Sequence, residues 1–256
     1  MSNMKILHAI GGIDDEFIER ASQKNTVKRR AIPLWLKWAA PVAACLVVAV
    51  MVAIPILNNG DDFDLKLSSG VSVRHIDNPP SIQSSASLAH LTEEELFADY
   101  YHEYEIVVFG GIVKEVKNIV IDFNGREVYR AIAEIEVSEV LRGNIPNNGI
   151  ITVLLPAPVN MEGLWVSDTS VSSKITPGIS GFFTPIRYDA TSVISMNDAT
   201  LVLSEIAEYG LSDGERWAFL ETTEGLLFAR WAYESIADAT TMDEVRQYII
   251  TMINQE

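Results

Sequence analysis

Cysteine is almost missing from this chain: among 256 residues there is one, Cys45. A single thiol closes no intrachain disulfide, so a small cross-linked scaffold is excluded. Positive charge is scarce as well. Nineteen Lys and Arg stand against 35 Asp and Glu, a formal net charge of −16. Nucleic-acid phosphates are held by clustered Lys and Arg, so nucleic acid is not an expected partner. There are four histidines, with no H-x-x-x-H or H-E-x-x-H spacing. The common zinc signatures are therefore missing, and no metal or cofactor is implied. Beyond residue 57 there is no G-x-S-x-G elbow, S-x-x-K pair, G-x-x-x-x-G-K-[ST] loop or G-x-G-x-x-G turn. Catalytic residues are accordingly not assigned.

What the chain does have is one long apolar run, Trp38 to Leu57, WAAPVAACLVVAVMVAIPIL, 20 residues without a charge. As a helix it spans about 30 Å, the thickness of a bilayer's hydrocarbon core. Pro41 and Pro55 sit near its ends, where lost backbone bonds cost least. Residues 1–38 carry seven basic and four acidic side chains, a surplus of three, leaving 12 basic against 31 acidic for the remainder. Basic residues crowd the N-terminal flank, while Asn58-Asn59-Gly60-Asp61-Asp62 follows the run. The positive-inside rule then places the N-terminus in the cytoplasm and the acidic tail outside the cell membrane. A cleaved signal peptide would be shorter and would end in a small-x-small site, not Ile54-Pro55-Ile56-Leu57. Val42-Ala43-Ala44-Cys45 has the look of a lipobox, but the strongest apolar segment follows Cys45 instead of preceding it. The expectation is an uncleaved single-pass anchor over 38–57.

The cytoplasmic head, 1–37, reads as two short helices meeting at Gly11-Gly12, then a basic linker suited to anionic headgroups. Asp14 is placed as the N-cap of the second helix, with Ile13 and Ile18 as a hydrophobic staple. Helices this short bury too little surface to fold alone. The head is therefore either disordered or folded on a partner, and Ile10, Ile13, Phe17 and Ile18 are the expected partner-facing residues. Residues 58–90, rich in Asn, Asp, Ser, Pro and Gly, read as a polar stalk.

An exported domain is expected over 91–256. Thr92 and Glu95 form a capping box opening a helix through about Tyr101, and Thr241 and Glu244 open another ahead of Met242, Val245, Tyr248, Ile249, Met252 and Ile253. Between them lie strand signals. Ile106 to Lys117 is Val- and Ile-rich with a bulge or bend at Gly110-Gly111, and Asn124-Gly125 marks a hairpin. Tyr129 to Leu141 alternates between one buried and one wet face, and Ile150 to Leu155 follows. Further strands are expected at Gly181–Tyr188 and Thr200–Tyr209, although Leu201–Tyr209 also suits a helical turn. A glycine-containing hairpin is expected over 217–231. The fold class is α+β: a β-rich domain with flanking helices, whose run over 106–155 fits the start of a small OB-like barrel.

Glu134 and Glu136 share one strand face two residues apart, a spacing that invites comparison with a glycosidase's paired acids, but paired carboxylates in a cleft come from different elements. A solvated strand face is the simpler reading. Asp99, His102 and Glu103 read as a solvated helix end, and Asp61-Asp62-Phe63-Asp64 lacks the later ligands of a calcium loop. Trp165, Trp217 and Trp231 suit either a core or a ligand groove, with Arg216 and Arg230 as cation–π neighbours.

Leu7-His8-Ala9-Ile10-Gly11-Gly12-Ile13-Asp14-Asp15-Glu16-Phe17-Ile18-Glu19-Arg20-Ala21, followed by Lys28-Arg29-Arg30, Trp35-Leu36-Lys37-Trp38 and an Ala/Val-rich anchor, resembles the head of single-pass, anti-sigma-factor-like membrane proteins of clostridial Firmicutes. Val107-Val108-Phe109-Gly110-Gly111-Ile112-Val113 and Glu139-Val140-Leu141-Arg142-Gly143-Asn144 are similar to their variable exported domains. The resemblance implies a cytoplasmic protein partner such as a sigma factor and an extracellular ligand. The H-x-x-x-C-x-x-C pattern of zinc-binding anti-sigma domains is missing. The leading expectation is a non-enzymatic, membrane-anchored sensor or regulator. An anchored binding module without signalling and an exported hydrolase using sheet carboxylates are the alternatives.

Overall fold

The computed structural model describes residues 63–77, 83–84, 88–98, 104–146, 149–159, 165–166 and 168–255. The head, the apolar run at 38–57, and with them Ile10, Ile13, Phe17, Ile18 and Cys45, lie outside these residues. Among the described residues no helix is long and apolar enough to cross a membrane. In chain order the elements are strands β1 (Val71–His75) and β2 (Gln83–Ser84), helix α1 (Glu93–Phe97), and the long strands β3 (Val108–Phe123) and β4 (Arg126–Arg142). Then come β5 (Ile150–Leu155), β6 (Trp165–Val166), β7 (Ser180–Phe183), β8 (Ile186–Arg187), β9 (Val193–Met196) and β10 (Ala199–Val202). Strands β11 (Tyr209–Gly210), β12 (Ala218–Thr222) and β13 (Gly225–Leu227) lead to helix α2 (Met242–Ile253). The domain is β-rich with few helices, in keeping with the α+β class.

Nine strands make one sheet in the order β13-β12-β7-β3-β4-β5-β11-β8, with β1 added alongside β3. The β3–β4 hairpin is its spine. Asn124 and Gly125 take positive φ, 49° and 90°, the left-handed pair of a type I′ turn whose twist matches the strands it joins. Segment 180–187 pairs antiparallel with 106–112, Ser180 against Ile112 and Phe183 against Phe109. Beyond the interruption at Thr184-Pro185 the same register continues, with Ile186 bridging Ile106 and the Val107 N–H donating to the Pro185 carbonyl at 3.0 Å. Strand β8 also pairs with β11, which runs parallel to β5. The path β3–β4–β5–β11–β8 thus curls back onto the chain entering β3.

Register shifts decide which side chains meet. Between Val113 and Glu115, β3 advances two residues while β4 advances one, from Ile135 to Glu134, so Lys114 is bulged out. One inserted residue exchanges the two faces of a strand. Phe109 and Val113 accordingly join the first core, whereas Ile119, Ile121 and Phe123 join a second one on the opposite face. On β4, Ala131, Ala133, Ile135 and Val137 face the first core, which α1 and α2 cover with Leu96, Phe97, Val245, Ile249 and Met252. Val128 and Ile132, on the alternate face, meet the second core. Both helices start on the capping boxes read from the sequence, although α1 ends at Phe97, earlier than expected, with Ala98 as its C-cap.

The stalk expectation needs correcting over 63–77. Strand β1 pairs with β3, Val71 against Phe123 through His75 against Ile119, and Val73 is fully buried. Burying such a side chain contributes about 1.5–3 kcal/mol, which favours a docked strand over a free tether. Phe63 and Leu65 pack on the same second core. The β9–β10 hairpin supplies its other cover through Ala199 and Leu201. This hairpin turns at Asn197-Asp198, φ 52° and 59°. Its tip is stitched to the first hairpin, since Asn124 Nδ2 donates to Asn197 O at 3.1 Å and Asn197 Nδ2 to Asn124 O at 2.7 Å.

A carboxylate clamps the segment before β1. Glu205 accepts from the backbone N–H groups of Lys66, Leu67 (2.7 Å) and Ser68 (2.9 Å) and from the Ser68 hydroxyl (2.5 Å). Desolvation alone would raise its pKa, but these donors outweigh it and hold the carboxyl below its ordinary value. A depressed folded-state pKa gives stabilisation that is present above the unfolded value and lost as pH falls through the folded one. Amide exchange protection at Lys66, Leu67 and Ser68 is thus expected to be full at neutral pH and to fade below about pH 4, the ordinary carboxylate range. Glu205→Gln should weaken that protection already at neutral pH.

Close approach also governs Gly181 in β7, where a Cβ would sit 2.3 Å from the Phe219 carbonyl oxygen. Gly125 by contrast has open space and only its positive φ to lose. Gly181→Ala is expected to cost about 1–3 kcal/mol by overpacking, and Gly125→Ala about 1 kcal/mol. Thermal denaturation of the two variants, with the larger drop in melting temperature at position 181, checks this order.

Candidate functional site

The alternate face of β4 carries, in order, Val128, Arg130, Ile132, Glu134 and Glu136. Its first half is covered by the second core; its second half, Glu134 and Glu136, is half-exposed. Where the cover stops there is a groove of about 120 Å³. Ile132 and Ile206, both nearly buried, form its floor. Phe63 and His75 stand on one side with ring centroids 5.2 Å apart and tilted by 50°. Glu115, Glu134 and Thr152, aligned across β3, β4 and β5, form the opposite rim, and Lys117, paired with Ile132 in the row of the floor, reaches up to Glu115.

The rim is held by short contacts. Lys117 Nζ lies 2.9 Å from Glu115, and that hydrogen bond raises the pKa of the ammonium. The Thr152 N–H donates to Glu208 Oε2 at 3.1 Å, and the Glu208 N–H returns a bond to Thr152 Oγ1 at 3.0 Å. One row further along the strands, Ile112, Glu136 and Ile150 are neighbours across the same three strands. Ile112 is 41% and Ile150 59% exposed, flanking a Glu136 that pairs with the bulged Lys114 at 3.0 Å. Glu134 and Glu136 therefore occupy different rows with different partners on one open strand face, and do not oppose each other across a cleft.

A second depression, of about 380 Å³, lies between α1 and α2 and includes Glu93, Glu94, Ser235 and Tyr248. Its central carboxylate is already engaged. Glu93 accepts from the Tyr248 hydroxyl at 2.6 Å and the Ser235 N–H at 2.8 Å, joining the two helices to the 3-10 turn Glu234–Ile236. Desolvation opposes its charge, yet the hydrogen bonds prevail and its pKa is lowered. This is a structural seam.

The tryptophans separate into different roles. Trp217 is buried in the first core and donates its indole N–H to Asp213 Oδ2 at 2.7 Å. Asp213 also caps the N–H groups of Glu215 (2.8 Å) and Arg216 (2.9 Å) and pairs with the Arg216 guanidinium at 2.8 Å. Trp231 is 55% exposed and sits 6.0 Å from the Arg216 guanidinium, while Arg230 lies 4.5 Å from the Phe228 ring. Each cation thus contacts an aromatic ring other than that of its adjacent tryptophan. Trp165 belongs to β6, which pairs with β2. Asp99, His102 and Glu103 lie outside the described residues, among which no three His, Cys, Asp or Glu side chains gather in a metal-binding group.

From sequence alone, Glu134 reads as part of a solvated strand face and does not point to the walls of the groove. Phe63 and His75 fall in the expected stalk, and Ile206 in a segment that suits either a strand or a helical turn. The one available signal was Ile132, an apolar residue interrupting the polar face of β4. Comparison with known protein families, characterised proteins and solved structures finds no match to this chain.

The buried Asp213–Arg216 pair generates a stability expectation. Asp213→Ala would remove the acceptor of two N–H groups and an indole and the carboxylate beside a buried guanidinium that keeps only the Ala89 carbonyl, and should cost about 3–5 kcal/mol. Equilibrium urea unfolding measures it; a loss below about 1 kcal/mol contradicts a structural role for the cluster.

Proposed function

We propose that the chain is a membrane-anchored sensor or regulator whose exported domain binds an extracellular ligand in the groove at the middle of β3, β4 and β5. The observation supporting this is the transition on β4, where an apolar floor at Ile132 and Ile206 meets a charged rim that no element among the described residues covers. Small-molecule sites usually occupy about 300–1,000 Å³, so a groove of about 120 Å³ suits one group of a larger ligand. The path β3–β4–β5–β11–β8, with β5 and β11 parallel and 180–187 returning to 106–112, is read as an OB-like barrel. Such barrels commonly use the outer face of their second and third strands, here β4 and β5, as a binding platform.

In this reading residues 38–57 anchor the chain, 1–37 are cytoplasmic, and Ile10, Ile13, Phe17 and Ile18 contact a regulator such as a sigma factor. A photo-crosslinking side chain placed at position 152, 224 or 17 of the full chain in intact cells tests both ends. Position 152 should trap an extracellular ligand, position 17 a cytoplasmic protein, and the hairpin tip at 224 neither. Equal trapping at 152 and 224 would remove the groove from the proposal. Accessibility of position 17 to a membrane-impermeant reagent would remove the topology.

A further inference from the structure

We infer that the groove is a receptor for a lysine-type side chain, an ammonium on an aliphatic stem, carried by an extended peptide partner. The inference rests on the groove being the ligand site and adds the chemistry of what enters it. Size comes first: about 120 Å³ is below the usual small-molecule site and is of the order of one side chain. The lining is apolar below and charged above, which matches a methylene stem with a polar head. Ile132, Ile206 and the Phe63 ring offer the stem a hydrophobic seat.

Charge selects the head. Two carboxylates of the rim row, Glu115 and Glu134, stand against one ammonium, that of Lys117, which rises from the floor row beside Ile132 and is drawn to Glu115 at 2.9 Å. Glu208, bonded to Thr152 at the same edge, adds a further negative charge. An anionic ligand would meet this surplus and the field of a tail with 31 acidic against 12 basic residues; a cationic one is attracted by both. A neutral apolar side chain would gain the floor but would desolvate the rim carboxylates without compensation.

The neighbouring row extends the match. In an extended peptide, side chains on one face repeat about every 7 Å, the spacing of successive rows on the sheet. Exposed Ile112 and Ile150 lie one row from Glu134, so a basic residue in the groove places the residue two positions away over these isoleucines. The expected recognition pattern is Lys-x-apolar.

The test uses the full chain in detergent at about 0.15 M salt, where long-range attraction is screened. Fluorescence anisotropy follows a labelled peptide containing Lys-Ser-Leu, and the same peptide with norleucine or glutamate replacing lysine. The lysine peptide should bind, with both replacements at least about fivefold weaker. Glu134→Gln should weaken the lysine peptide by a similar factor, while Glu224→Gln, on a distant turn and of equal charge change, should alter it less than twofold. Unchanged thermal melting of both variants excludes misfolding. The inference falls if the lysine peptide does not bind, if norleucine or glutamate serves equally well, or if both variants weaken binding alike. If norleucine or glutamate binds and shifts the Thr152 amide resonance, the groove remains a binding site and only the lysine assignment fails. If no peptide shifts Thr152 and crosslinking from 152 traps nothing, the site itself fails.

Discussion

The inserted residue Lys114 sets the condition on which the rest of the domain depends. Before it, β3 turns Phe109 and Val113 toward the core beneath the helices; after it, Ile119, Ile121 and Phe123 turn to the opposite face. Without the bulge, a strand of period two would send all of these side chains to one side. The opposite face would lose most of its apolar anchors on β3, and β1 and the β9–β10 hairpin would have little to cover. The same residue carries the ammonium that pairs with Glu136, so the irregularity that divides the cores also furnishes the open face with a charge.

Two cores on opposite faces explain why a groove exists at all. The cover over the second core is made of short pieces, a segment from 63 to 75 and another from 193 to 207, and it does not reach the whole sheet. Where it ends, Ile132 lies almost buried while Glu134, two residues on, is in the rim. The step between them is a consequence of incomplete cover, and it juxtaposes apolar floor and carboxylates without a dedicated loop. Glu205 and the two asparagine-bearing turns hold that cover in place through hydrogen bonds between residues far apart in sequence.

Charge and topology act at different ranges. The tail's negative surplus acts over the whole domain and biases what approaches, within a screening length of about 10 Å at ordinary salt. Local pairs, Lys117 with Glu115 and Arg246 with Glu139, neutralise individual carboxylates at the surface. Among the described residues the pair of Asp213 with Arg216 is buried, and its carboxylate oxygens are saturated by guanidinium, backbone and indole donors. That saturation separates a structural cluster from a binding one, and the groove rim differs because its carboxylates face solvent.

By itself the sequence determined the local elements. Asn124-Gly125 dictates a turn because both residues tolerate positive φ, and Thr92–Glu95 and Thr241–Glu244 dictate helix starts because their side chains close the free N–H groups. Ile150–Leu155 and the first-core face of β4 follow from residue type and alternation. The Asn197-Asp198 turn was equally legible in principle, but its flanking strands are only four residues each and carry little alternation. Only tertiary structure decided that Val71–His75 is a strand, that β8 returns to the chain before β3, and that Ile132 is covered while Glu134 is open. Each depends on contacts between segments distant in sequence: burial in a second core or pairing along an edge leaves no periodic trace in a stretch of five residues or fewer. The groove was illegible for that reason, since its walls come from positions 63, 75, 132 and 206, which only the curled sheet brings together.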